Sequence, residues 1–126
     1  WKPSPTGSDE QAAILLQNSS GQMATVALSM HSKQPKRAMI SCETGYIEIM
    51  EYPRADRAVF VDAETGKRTE ITCGESRQAL YYEMTDMENA VLNGDTAALK
   101  LDTTVDVMQI MTDLRREWGL VYPEEW

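Results

Sequence analysis

Residues 36–50 read KRAMISCETGYIEIM, and this stretch decides the fold. Apolar and polar residues alternate on both sides of Glu43-Thr44-Gly45, which is the pattern of two antiparallel strands joined by a tight turn. Successive side chains of a strand point to opposite faces, so the hairpin has an inward and an outward side. Its predicted core side carries Ala38, Ile40, Cys42, Ile47 and Ile49, and its outward side carries Met39, Ser41, Tyr46 and Glu48.

Similar strand patterns lie on both sides of this hairpin. Residues 11–17 and 22–31 precede it, and residues 58–61 and 68–73 follow it. Glycines 21, 45 and 66 stand at the strand junctions, where a residue without Cβ adopts a positive φ at little cost. Short turns between five or six strands predict a mostly antiparallel meander, because parallel pairing needs long crossover connections.

Two helical patterns close the chain. The first follows a candidate N-cap at Ser76 and ends at Asn93-Gly94, and the second begins near Asp102 and ends at Gly119. Each helix has one apolar stripe, so each is expected to cover the sheet and to bury its methionines. The stripes are Leu80, Met84, Met87 and Val91 in the first helix, and Val107, Ile110, Met111, Leu114 and Trp118 in the second, with Met108 also expected in the core.

Strands followed by helices predict an α+β fold. We expect a two-layer sandwich in which both C-terminal helices lie on one face of an open-faced, mostly antiparallel sheet of five to six strands. Residues 1–8 are rich in proline, serine and glycine and are interpreted as a linker or a truncated end. Residues 9–126 are interpreted as a single domain, which their number fits.

Composition excludes several classes of function. A net charge of −8 argues against nucleic-acid binding. Two cysteines and one histidine are too few for a disulfide framework or a zinc site, so free thiols in a reducing cytosol are the simplest interpretation. No apolar run is long enough to span a bilayer. We therefore expect a cytoplasmic protein with no membrane and no nucleic-acid partner.

The sheet face away from the helices is too apolar for a comfortable solvent face. Exposed patches of this kind usually mark interfaces, so we expect a homo-oligomer that forms through this face. The candidate interface residues are Met23, Thr25, Ala27, Ser29, Met39, Ser41, Tyr46 and Glu48.

Catalytic and cofactor motifs are absent from the sequence. No two of the seven glycines are separated by one residue, so no G-x-G-x-x-G fingerprint can be written, and no phosphate-binding loop occurs. His31 is the only conventional general base; it is a weak candidate for a substrate contact, or else a surface histidine beside a loop. We predict no catalytic, cofactor-binding or metal-binding residue in this chain.

Four segments carry a family resemblance. Residues 12–22 form a strand, a turn and a strand, and ISCETGYIEI at 40–49 is similar to an I-x-G-T-x-G-x-I-x-I hairpin. Residues 82–94 are similar to a Y-x-x-E-x-x-x-F-x-x-A-I-x-x-G helix, and residues 103–119 with Tyr122-Pro123 to a closing helix and its finish. In this order they resemble the C-terminal domain of the Gfo/Idh/MocA oxidoreductases. Cys42, Glu43 and Met87 depart from the usual Gly, Thr and Phe.

The resemblance implies that the parent protein transfers a hydride between NAD or NADP and a sugar- or diol-like substrate. Its Rossmann domain would precede residue 1 and would carry the cofactor and the catalytic residues. This chain would then supply subunit assembly and part of the substrate wall, and would bind no cofactor itself. The alternative is a free-standing interaction or dimerisation module without an enzymatic partner domain.

Overall fold

A computed structural model describes residues 1–122 of the chain. The α+β class is confirmed, with open antiparallel sheets and two helices at the C-terminal end. The strands are β1 (Lys2–Pro3), β2 (Asp9–Gln17), β3 (Met23–Ser29), β4 (Arg37–Cys42), β5 (Gly45–Met50), β6 (Arg57–Asp62) and β7 (Arg68–Thr72). The helices are α1 (Ala79–Asn93) and α2 (Leu101–Trp118), with single 3-10 turns at Tyr52–Arg54, Ser76–Gln78 and Ala97–Leu99.

The chain divides into two compact units. The first unit contains residues 1–33 and the C-terminal segment that begins at Leu101. The second unit contains residues 34–100. The seven strands are divided accordingly into a sheet of order β1-β2-β3 and a sheet of order β4-β5-β6-β7, whereas the sequence predicted one sheet of five to six strands. The single-domain interpretation of residues 9–126 stays a prediction.

The additional strand, β1, lies in the segment that was interpreted as a linker. The Gly7 amide donates to the Ser4 carbonyl at 3.0 Å, and the Ser4 amide donates to the Ser8 carbonyl at 2.7 Å. These bonds close a turn, so that Lys2 stands opposite Gln11 of β2. A two-residue strand has no periodicity of its own, which is why the sequence pattern did not indicate it.

The hairpin at residues 36–50 is confirmed with its register. Ala38 stands opposite Ile49 and Ile40 opposite Ile47, so the residues that were predicted to share a face do share it. Gly45, however, does not have a positive φ. A Cβ at Gly45 would meet the carbonyl oxygen of Val61 and would lie 2.8 Å from the Phe60 ring. This glycine is therefore required by the close approach of β5 and β6 and not by backbone conformation.

The helix boundaries agree in part with the prediction. Gly94 adopts a left-handed φ of 72°, and its amide donates to the Ala90 carbonyl at 3.0 Å, which ends α1 as expected. Ser76 does not cap α1, because its amide donates to Asp56 Oδ2 at 3.0 Å and its hydroxyl donates to the Arg54 carbonyl. Ser76 instead joins the loop before β6 to the 3-10 turn. Pro123, which the resemblance included, lies outside the described residues.

The expectation that both apolar stripes are buried is wrong for the described structure. Met84 is 70% exposed and Val91 is 74% exposed on α1. On α2, the first turns are exposed and only its last part is half-buried. The four methionines that were assigned to the core, Met84, Met87, Met108 and Met111, are all exposed. Helical spacing predicts that residues share a stripe, but it does not supply the surface that covers the stripe.

Among residues 1–122 the buried positions are few and local. In the first unit, Ala12 and Leu120 are buried apolar residues, and Trp1 stacks on Trp118 with ring centroids 5.6 Å apart. The second unit buries Val61 of β6. The sheets therefore leave much of their apolar surface exposed to solvent.

Candidate functional site

The three-stranded sheet has one open face, which we call the outer face and define as Ala13, Leu15, Met23, Thr25 and Ala27. These residues share a face because Ala13 stands opposite Ala27 and Leu15 opposite Thr25 in the β2–β3 register. Leu15 is 64% exposed and Met23 is 63% exposed. The opposite face is more covered, since Glu10 and Ala12 of β2 are buried there. The outer face is a contiguous, largely apolar surface of the kind that marks a binding site.

The four-stranded sheet has an aliphatic face that crosses all its strands. The registers place Ile40 opposite Ile47, Ile47 opposite Phe60, and Ala58 opposite Ile71. Its centre is half-buried, whereas Ile40 at one edge is 49% exposed and Ile71 at the other is 51% exposed. We define the aliphatic face as Ala38, Ile40, Ile47, Ile49, Ala58, Phe60 and Ile71.

The other side of the same sheet is the charged face, defined by Glu48, Arg57, Arg68 and Glu70. Arg68 donates to Glu48 at 2.7 Å, and this bond raises the pKa of the Arg68 guanidinium. Arg57 donates to Glu70 at 3.4 Å. Val61, on this same face, is buried between Tyr46 and Arg68 in the register. Cross-strand ion pairs therefore occupy much of this face.

The structure places the eight predicted interface residues on two different sheets. Met23, Thr25 and Ala27 are exposed on the outer face, while the half-buried Ser29 accepts a bond from the Ser32 amide at 3.0 Å. The remaining four residues stand on the charged face of the second sheet. Met39 and Ser41 are exposed there, and Tyr46 and Glu48 are half-buried. Each set is contiguous within its own sheet, and their role as an interface stays a prediction.

Sequence reasoning missed the aliphatic face because it assigned the hairpin residues of that face, Ala38, Ile40, Ile47 and Ile49, to the core. Cys42 was likewise expected to be a buried packing residue, and it is exposed at the end of β4. The available signal was the sequence of β6 and β7, where Phe60 and Ile71 continue the hairpin's apolar side. That pattern indicates an apolar sheet face, and only the structure shows that it is open.

His31 lies next to a carboxylate. Its Nε2 atom is 3.7 Å from Glu10 Oε2, and the imidazole is 69% exposed. The Lys2 ammonium donates to the other oxygen of Glu10 and holds the pKa of that carboxyl below its ordinary value. A polar cluster thus joins β1, β2 and the end of β3, and it is a better description of His31 than an isolated surface residue. Its role as a substrate contact stays a prediction.

One cavity of about 460 Å³ lies at the end of α2, lined by Thr112, Arg115, Arg116 and residues 119–121. The Arg115 guanidinium lies 4.5 Å from the centre of the Tyr122 ring, a cation–π distance. Arg116 lies 3.4 Å from Asp113. The cavity is wide open, and both guanidinium groups already contact groups of the chain.

Residues 1–122 contain no group of three or more histidine, cysteine or acidic side chains that could hold a metal ion. Within the same range, no helix is both long and apolar enough to cross a membrane. A scan against protein-family models, a search of curated proteins and a search of solved structures each found no match.

Proposed function

We propose that this chain is an assembly domain, and that its open sheet faces bind other protein surfaces. The carrying observation is the amount of ordered apolar sheet surface left exposed on the outer face and the aliphatic face. Removing apolar surface from water stabilises a complex by roughly 25 cal/mol per Å² before the costs of association. Sheet faces of this type therefore favour a partner whose surface is largely apolar and complementary in shape.

The resemblance gives this assembly role a context. The chain would be the C-terminal domain of a cytoplasmic NAD(P)-dependent oxidoreductase of the Gfo/Idh/MocA type, acting on a sugar- or diol-like substrate. An upstream Rossmann domain of the same protein would bind NAD or NADP and carry out the chemistry. This context rests on the sequence resemblance alone, whose segments include the hairpin at 36–50 and the helix end at Gly94. The free-standing interaction module uses the same surfaces and lacks only the catalytic partner domain.

The assembly role is tested by placing charges on the two open faces. Ala27→Glu combined with Ile40→Lys puts unpaired charge on exposed positions of the outer face and the aliphatic face, so a dimer should become a monomer in light scattering. Ser19→Glu with Ser32→Lys is the matched control, because both residues are exposed in turns. An unchanged mass for the face variant would refute the assembly role of the outer and aliphatic faces.

The oxidoreductase context has its own tests. Titration of the chain with NADH should show no saturable binding, since the cofactor would belong to the Rossmann domain; micromolar affinity would contradict this division of labour. The upstream reading frame of the natural gene should encode a G-x-G-x-x-G unit between a strand and a helix. If it does not, the free-standing module is the correct reading.

A further inference from the structure

The edge strand β7 has a free hydrogen-bonding side. The Asp62 backbone amide donates to the Lys67 carbonyl at 3.0 Å, and the Cys73 backbone amide donates to the Asp56 carbonyl at 2.9 Å. These two bonds identify the hydrogen-bonded pairs of the β6–β7 ladder. Because bonded and non-bonded pairs alternate in an antiparallel ladder, Thr69 and Ile71 bond to β6. The amides and carbonyls of Arg68, Glu70 and Thr72 therefore point away from the sheet. In the part of the chain that the structure describes, no strand pairs with this edge.

We propose that β7 pairs antiparallel with β7 of a second copy of this chain, in the register that places Arg68 opposite Glu70 of that copy. An unprotected strand edge is a template for pairing with another chain. All five residues of β7 are exposed, and the strand contains no proline or lysine that would block the approach. The two four-stranded sheets would then form one continuous sheet, with both aliphatic faces on the same side.

Charge selects the register. The outward amides allow a two-fold axis at Thr69, Glu70 or Ile71. An axis at Glu70 sets two carboxylates directly against each other, which destabilises the pair. An axis at Thr69 sets Arg68 against Glu70 of the second copy and, by symmetry, Glu70 against its Arg68. An axis at Ile71 brings no charges together, so the axis at Thr69 gains the most complementary contacts.

The charged face extends this complementarity beyond the edge. Glu48 already contacts Arg68, and Arg57 already contacts Glu70 within one chain. The proposed pairing therefore builds a row of alternating charge in the order Glu48, Arg68, Glu70 and Arg57, in which the last two belong to the second copy. Charge networks of this kind are more effective than isolated surface pairs.

The opposite edge of the sheet does not offer the same match. The Glu51 amide donates to the Lys36 carbonyl at 2.7 Å, so the outward groups of β4 belong to Arg37, Met39 and Ser41. This set contains a basic residue and no acidic one. A second copy therefore finds complementary charge at β7 and not at β4. The contact is small, so we expect a weak and reversible dimer.

A cysteine scan tests both the edge and the register. In a background of Cys42→Ser and Cys73→Ser, the full chain carries Thr69→Cys, Glu70→Cys or Ile71→Cys, with Ser19→Cys as a remote control. Directly opposed, non-bonded residues have Cα atoms about 4.5 Å apart, close enough for a disulfide. We expect Thr69→Cys to cross-link fastest under mild oxidation. Faster cross-linking of the Glu70 or Ile71 variant overturns the register, and rates equal to the control overturn the edge contact.

A charge-swap mixture tests the ionic pairs. Arg68→Glu alone sets two like acidic pairs across the edge, and Glu70→Arg alone sets two like basic pairs, so each should dimerise about tenfold more weakly in sedimentation velocity. Mixing the two variants restores opposite charges in the heterodimer, which should recover the wild-type affinity. A structural defect cannot be repaired by mixing, so absent recovery overturns the proposal. Circular dichroism checks that each variant is folded.

This inference concerns an edge and not a sheet face, so it can fail separately from the proposed assembly role. Ala27→Glu with Ile40→Lys leaves β7 unchanged, and the cysteine scan leaves the outer face unchanged. If the β7 variants weaken the dimer while the face variant leaves it intact, the edge contact alone is supported. If the edge instead binds an extended peptide of another protein, every cysteine variant will cross-link at the rate of the control. That result would overturn the proposed pairing of two β7 strands.

Discussion

The strands of the three-stranded and the four-stranded sheet show equally clear alternation of apolar and polar residues. The two sheets differ, however, in the kind of face that contains the buried residues, since in the four-stranded sheet this is the charged face. In the first sheet the buried residues of β2, Glu10 and Ala12, stand on one face, and Leu15 on the other is exposed. In the second sheet the buried Val61 stands on the charged face, while Ile40 on the aliphatic face is half exposed. Alternation therefore tells which residues share a face, but hydrophobicity alone does not tell which face is covered.

The largest expected effect comes from closing the space between β5 and β6. In Gly45→Ala the new methyl group meets the Val61 carbonyl and the Phe60 ring. Overpacking of this kind costs about 1–3 kcal/mol, which urea denaturation should show as a lower free energy of unfolding. Gly21→Asn is the control, because Gly21 has open space around it and asparagine tolerates its positive φ. Equal stability of both variants would contradict the close approach in the second sheet.

A second pair of variants compares the two sides of the four-stranded sheet directly. Val61→Ala removes buried methyl groups from the charged face and should lower the free energy of unfolding by about 2 kcal/mol. Ile40→Ala removes a larger, half-exposed group from the aliphatic face and should cost clearly less. If Ile40→Ala proves the more damaging change in thermal or urea unfolding, the aliphatic face is covered in solution and the comparison is reversed.

Acid titration compares the two sheets through different carboxylates. Lys2 lowers the pKa of Glu10 in the first sheet, and the Thr65 hydroxyl lowers the pKa of Asp62 in the second. A lowered pKa contributes stability that is fully present above the ordinary carboxyl value, about 4. That stability is lost as the pH falls through the native pKa.

Glu10→Gln should therefore reduce stability at neutral pH and flatten the acid limb of a stability–pH profile. The probe, which we call the Trp1 signal, is the fluorescence of the stacked Trp1 and Trp118 in a Trp126→Phe background, because Trp1 precedes the strand that Lys2 fastens to β2. Asp62→Asn should flatten the profile without changing the Trp1 signal. If the pH dependence of the Trp1 signal changes in Asp62→Asn but not in Glu10→Gln, the carboxylates of the two sheets do not titrate separately.

The smallest effect is expected from the ion pair between Arg57 and Glu70. Both side chains are largely exposed, so Arg57→Gln should change the free energy of unfolding by about 0.5 kcal/mol or less, and added salt should remove the difference. Lys67→Gln, which removes a neighbouring charge outside this pair, is the control. A salt-independent loss larger than about 1 kcal/mol would mean that the pair is much less solvated than its largely exposed side chains imply.

Much of the local structure was predictable from particular residues. The turn at Glu43-Thr44-Gly45 set the hairpin register, and Gly94 and Gly119 ended the helices where the sequence indicated. The strand β1 was not predictable, because two residues carry no period and their pairing depends on the turn at Ser4. Ser76 was a plausible cap by residue type, but its hydroxyl and amide bind Arg54 and Asp56 of a distant loop.

The candidate site was predictable only in part. The outer-face residues Met23, Thr25 and Ala27 were identified from alternation and are exposed. The hairpin part of the aliphatic face and the helix stripes were assigned to a core, since apolar residues at regular spacing usually pack together. The free edge of β7 had no sequence signal, because the direction of an amide depends on which neighbour the strand pairs with.

The sequence by itself determined the α+β class, the hairpin, the sharing of faces and the absence of a dinucleotide fingerprint. These properties follow from residue type and spacing, which act over a few neighbours along the chain. Only the tertiary structure decided the division into two sheets, the burial of Val61 instead of Ile40, and the outward amides of Arg68 and Glu70. Those properties depend on contacts between residues distant in the chain, which a local period cannot encode.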